Sequence, residues 1–160
     1  MDEAEFIATL GGIFEHSPWV AQRAFAARPF ADVAALHAAM VAAVDRASAA
    51  EQLALLRAHP ELAGKAAVRG ELTADSTREQ SGAGLAHCTP EEFAAITALN
   101  RRYSDTFGFP FILAVMGYDR AGILREFARR VEHDPATEFA ECLAQVAKIA
   151  RFRLDALVGD

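Results

Sequence analysis

The chain has 160 residues, 52% hydrophobic and 24% charged, which fits a folded globular protein and excludes a disordered one. A chain near this length buries roughly two-thirds of its unfolded surface and has room for one domain, not two. The formal net charge of -6 offers a polyanion no long-range attraction, which excludes nucleic acid and anionic membrane surfaces as first partners. The N-terminal Met1-Asp2-Glu3-Ala4-Glu5 is acidic where a secretory signal is basic, and no apolar run approaches the roughly 18 residues of a membrane span. A soluble, cytoplasmic protein is expected. Ser17 before Pro18 reads as an N-cap with proline at the first helical position, where a missing N–H costs nothing. Val33, Leu36, Met40 and Val44 recur at three- and four-residue intervals, so they share one stripe of a helix that Asp32 can cap. Ser48 with Glu51 has the spacing of a capping box.

The segment from His59 to Gly84 is the least regular of the chain, with His59-Pro60, Gly64, Gly70, a polar run through Gln80, and then Gly82 and Gly84. Polar residues that interrupt a well-patterned helical chain mark where a site belongs. Thr89, Pro90 and Glu92 open the next helix, through Phe93, Ile96 and Leu99. Phe111 to Met116 is apolar enough for a strand, but it has no partner strand, so a buried turn or short helix is expected, with Gly117 and Gly122 bracketing the following loop. Asp134-Pro135 starts the last helix, along which Phe139, Leu143, Val146, Ile149 and Ala150 keep helical spacing to about Leu157.

Several chemistries lack their residues. Cys88 and Cys142 form no Cys-x-x-Cys, so neither a disulfide framework nor a cysteine zinc site is supported, and a reducing compartment fits. His16, His37, His87 and His133 show no His-x-x-x-His or Glu-x-x-His spacing, so a helical metal site has no first ligands to build from and no metal is expected. No Gly-x-Ser-x-Gly occurs, and Ser81-Gly82-Ala83-Gly84 reads as a tight turn.

Taken together, the ordered blocks resemble a known family. His59-Pro60-Glu61-Leu62-Ala63-Gly64, Leu72-Thr73-Ala74-Asp75-Ser76-Thr77-Arg78-Glu79-Gln80 and Ala83-Gly84-Leu85 are similar to motifs of the 2-oxo-4-hydroxy-4-carboxy-5-ureidoimidazoline (OHCU) decarboxylases. Leu99-Asn100, Tyr103, Phe107-Gly108-Phe109-Pro110-Phe111-Ile112, Ile149-Ala150 and Arg153-Leu154 continue the match, and Asp75 stands where glutamate is more usual. The resemblance implies an all-α fold, a compact single-domain bundle of roughly eight to nine helices over residues 1–160, commonly a homodimer. It further implies decarboxylation of OHCU to (S)-allantoin and CO2 in urate breakdown without metal or organic cofactor. A C=N group beside the departing carboxylate takes up the electrons, which leaves the protein positioning and proton transfer.

Within that frame His59 is the candidate acid-base group, and Glu79 orients it or shares its proton. Pro60, Ser76, Gln80, Phe111, Ile112, Leu113 and Arg153 are the candidate substrate-binding residues. Most have a plainer reading beside the functional one. His59 can simply bond a backbone carbonyl at the end of a helix; Ser76 and Glu79 also have capping-box spacing. Gln80 can be an exposed helix residue, Arg153 a partner of the helix dipole, and Phe109 to Ile112 ordinary core. Arg151 and Arg153 lie on different helix faces, so at most one points inward. A catalytically inactive helical module that binds a ureide or purine metabolite is the alternative function, and a helical interaction domain is a third.

Overall fold

The computed structural model describes residues 1–159. Among them are nine α-helices and no strand: α1 (Glu3–Leu10), α2 (Trp19–Ala24), α3 (Val33–Asp45), α4 (Ala49–Arg57), α5 (Lys65–Val68), α6 (Ala74–Gly82), α7 (Pro90–Phe107), α8 (Arg120–Arg130) and α9 (Pro135–Val158). The all-α class and the helix number agree with expectation. Residues divide into two compact units, one built from positions 1–59 with the chain from Val146 onward, the other from Pro60 to Gln145.

In the first unit the helix starts follow local chemistry. Asp32 Oδ1 accepts from the Ala35 N–H at 2.8 Å, and Ser48 and Glu51 form a reciprocal capping box at the head of α4. Ser17 departs from its expected role: α2 starts at Trp19 with no side-chain cap, and the Ser17 hydroxyl donates to the Glu15 carbonyl at 2.9 Å instead. The hydroxyl serves the loop before the helix. Core residues are Phe6, Val20, Met40, Val44, Leu55 and Leu56, joined by Ile149, Ala150 and Leu154 of α9. Val20, Ala21 and Ala24 form the buried face of α2.

In the second unit Thr89 and Glu92 close the expected capping box on α7, with Pro90 at the first helical position. Ile96, Asn100 and Tyr103 then point inward at four- and three-residue spacing. Phe111 stacks on Phe127 of α8 with ring centroids 3.9 Å apart, and Tyr103 meets both rings edge-on. Asp134 caps α9 through the Thr137 N–H at 2.8 Å.

Two expectations fail here. Residues 111–115 form neither a turn nor a short helix; they run as irregular, wholly buried backbone. Their polar groups are answered by side chains: Arg130 donates to the Ile112 carbonyl, and the Ala114 N–H donates to Gln145 Oε1 at 3.0 Å. Gly122, expected to bracket a loop, lies inside α8, where its N–H meets the Asp119 cap at 2.7 Å.

Candidate active site

His59 directly follows Ala58, the C-cap of α4, and is 7% exposed. Its Nδ1 lies 3.0 Å from the Leu55 carbonyl. A carbonyl can only accept, so Nδ1 carries the hydrogen and the neutral ring keeps its lone pair on Nε2. Burial holds the imidazole down to about 4, against the upward pull of the Leu55 bond and the Glu15 carboxylate. The ring is therefore neutral near pH 7. The plainer reading of His59, a bond to a backbone carbonyl, is thus true, and it is also what sets the tautomer.

Arg153 belongs to the same unit and the same electrostatic neighbourhood. It is 4% exposed, while Arg151, two residues earlier on α9, is half-exposed and pairs with Asp155 at 3.0 Å. A two-residue step turns about 200° around a helix, which is why only one of the two arginines points inward. Arg153 Nη2 donates to Glu15 Oε2 at 2.7 Å, and Nη1 reaches the Gly12 and Ile13 carbonyls at 3.4 Å. The guanidinium expected to meet a substrate carboxylate already meets a protein one. Glu15, 2% exposed, was not legible as a site residue, because no motif spacing links it to Arg153 or His59. The next residue, His16, has φ 48, a left-handed backbone uncommon for a side-chain-bearing residue.

Within the second unit, α6 presents Ser76 and Gln80 inward, four residues apart and both buried. Ser76 is not a cap. Thr73 takes that position, its hydroxyl accepting the Ser76 N–H at 3.2 Å, so the Ser76-Glu79 capping box does not form and Ser76 sits one turn inside the helix. Glu79 is half-buried on the same helix, and Pro60 is half-buried at the head of the loop before α5. Gln80 is no surface residue: it is 6% exposed, its Oε1 accepts the Ala63 N–H at 3.0 Å and its Nε2 donates to the Glu61 carbonyl at 3.4 Å. Asn100 Nδ2 adds a bond to the Leu62 carbonyl at 2.9 Å.

The two amides thus grip three successive loop residues by their backbone. They hold Ala63 at φ 50, where its Cβ costs roughly 1–2 kcal/mol. The expected Ser81 to Gly84 turn starts later than its sequence suggests, since α6 runs through Gly82 and only Gly84, at φ 81, is left-handed. Phe111, Ile112 and Leu113 lie in the buried irregular segment, its backbone fixed by Arg130 and Gln145. Among the described residues no three His, Cys, Asp or Glu side chains are grouped as a metal ion requires, and no single helix is long and apolar enough to cross a membrane.

A family profile described as OHCU decarboxylase matches residues 1–155. A 2-oxo-4-hydroxy-4-carboxy-5-ureidoimidazoline decarboxylase from Haloferax volcanii is 42% identical over 154 residues, 96% of this chain and 89% of that protein. The uric acid degradation bifunctional protein PucL of Bacillus subtilis is 41% identical over all 160 residues, of which the chain spans only 32% of the relative's length. A crystal structure of (S)-allantoin synthase superposes with a TM-score of 0.77 at 34% identity, covering 99% of this chain and 51% of that one.

Proposed function

The chain belongs to the OHCU decarboxylase family, and from that premise we propose that it converts OHCU to (S)-allantoin and CO2 in urate degradation, with His59 moving the proton. The protein is a carboxy-lyase. One observation carries the assignment of His59: a buried imidazole held neutral, its Nδ1 committed to the Leu55 carbonyl and its Nε2 lone pair available for proton transfer.

The chemistry needs little else. As the carboxylate departs, the electrons of the broken C–C bond flow into the adjacent C=N, and that nitrogen gains one proton. The 4-hydroxyl must then lose its proton as the neighbouring ring carbon gains one, which creates the carbonyl of allantoin. A neutral imidazole suits this second step, taking the hydroxyl proton and returning it to one face of the carbon. The anionic substrate raises the affinity of Nε2 for that proton during the exchange. Glu79 shares the proton traffic, as the resemblance of the Ser76 to Gln80 block implies. Pro60, Ser76, Gln80, Phe111, Ile112 and Leu113 hold the substrate. Arg153 serves the substrate carboxylate in concert with Glu15, which tempers its charge. The 160 residues act as one catalytic domain, a homodimer in the cytoplasm, without metal or organic cofactor.

The test supplies urate with an oxidase and a hydroxyisourate hydrolase, adds the protein, and follows allantoin by circular dichroism. Rapid appearance of the (S) enantiomer is expected. A rate no faster than spontaneous decay, with ligand-induced stabilisation retained, would favour an inactive binding module.

A further inference from the structure

We infer that Arg130 is a positioning residue for substrate binding: it holds the Phe111–Leu113 segment in its binding conformation without touching substrate. The inference rests on the reading that this segment holds OHCU. Arg130 is 0% exposed, at the C-terminal end of α8, far from the water that a guanidinium prefers. Each of its three nitrogens makes a contact. Nε donates to Glu138 Oε1 at 2.9 Å, Nη1 donates to the Ile112 carbonyl, Nη2 reaches Cys142 Sγ at 3.3 Å, and the guanidinium carbon lies 4.4 Å above the Phe111 ring.

Glu138, also 0% exposed, uses both oxygens in turn, Oε1 accepting from the Tyr103 hydroxyl at 2.6 Å and Oε2 lying 2.8 Å from His133 Nδ1. Folding requires a donor for the buried Ile112 carbonyl but not a charged one, because a neutral donor would serve without desolvating two charges. The distribution of the contacts supplies a reason. Arg130 fixes one carbonyl and one ring of a segment that has no helix or strand of its own, and Gln145 takes the Ala114 N–H two residues further on. Held at two points, the backbone of Phe111 to Leu113 keeps one orientation before substrate arrives, which is where binding energy is otherwise lost to ordering.

The experiment compares the parent with R130K and R130M/E138Q, the latter leaving no unpaired buried charge. KM and kcat for OHCU, melting temperature, and amide NMR shifts on titration with (S)-allantoin are measured. Expected for R130M/E138Q is a folded protein whose KM rises about tenfold or more while kcat stays within about threefold, the signature of lost uniform binding. R130K keeps the charge but not the fork; it should fall between the two and carries the test if the double variant does not fold. A merely structural role moves the melting temperature and leaves KM in place. A folded variant with the parental KM and allantoin affinity overturns the inference. If the amides of residues 111–115 in the parent do not shift with allantoin, the binding role of the segment fails, and this inference fails with it.

Discussion

Arg153 and Glu15 are 138 residues apart in the chain and meet at 2.7 Å with both side chains buried. Both charges act on the neutral imidazole of His59. Glu15 favours the protonated imidazole and Arg153 opposes it, while burial outweighs both.

Removing one charge of the pair takes away the other's buried counter-charge. E15Q leaves the Arg153 cation buried beside a neutral amide, and a loss of about 3 kcal/mol is expected, read as a lower urea midpoint. E15M/R153M, with neither charge, should recover most of that loss. Equal stability of E15Q and parent would show that the ion pair contributes nothing.

His59 makes stability depend on pH in a definite direction. Its folded value of about 4 lies below the ordinary 6.5, so between these two the unfolded chain binds a proton that the native protein does not. Stability conferred by the neutral ring is fully present above pH 6.5 and is lost as pH falls toward 4, to a total of about 3 kcal/mol. The difference between parent and H59N, measured by urea unfolding from pH 7 to pH 4.5, should carry this slope. Parallel curves would place the titration elsewhere.

The same variant tests catalysis. H59N retains an amide able to bond the Leu55 carbonyl but cannot exchange a proton near neutrality, so turnover should drop by at least about 10²-fold with the helical circular dichroism unchanged. Undiminished allantoin production would remove His59 from the chemistry.

Gln80 is expected to act on the loop as well as on substrate. Q80L takes away the acceptor of the buried Ala63 N–H, at a cost of about 1–3 kcal/mol, and frees Ala63 from its left-handed backbone. Thermal unfolding and amide exchange at Ala63 report this directly, and protection of that amide equal to the parent's would argue against the grip.

Much of the fold was legible along the chain because helix starts are local events. Asp32, Ser48 with Glu51, Thr89 with Glu92, and Asp134 each bond a backbone N–H three residues on, so composition and spacing suffice to find them. Ser17 and Ser76 show the limit of that reasoning, since each has the right type and spacing while a neighbouring residue or carbonyl claims the role.

The sequence by itself determined the helical class, four of the helix starts and, through its ordered motifs, His59 as the residue to examine. Only the tertiary structure decided how the buried polar groups within each unit are partnered. Glu15 reaches Arg153 and Arg130 reaches the Ile112 carbonyl across stretches with no periodicity to register them, and Gln80 turns inward because buried loop backbone needs its amide. Capping depends on neighbours along the chain, whereas a buried charge or carbonyl is satisfied by whatever folding brings near.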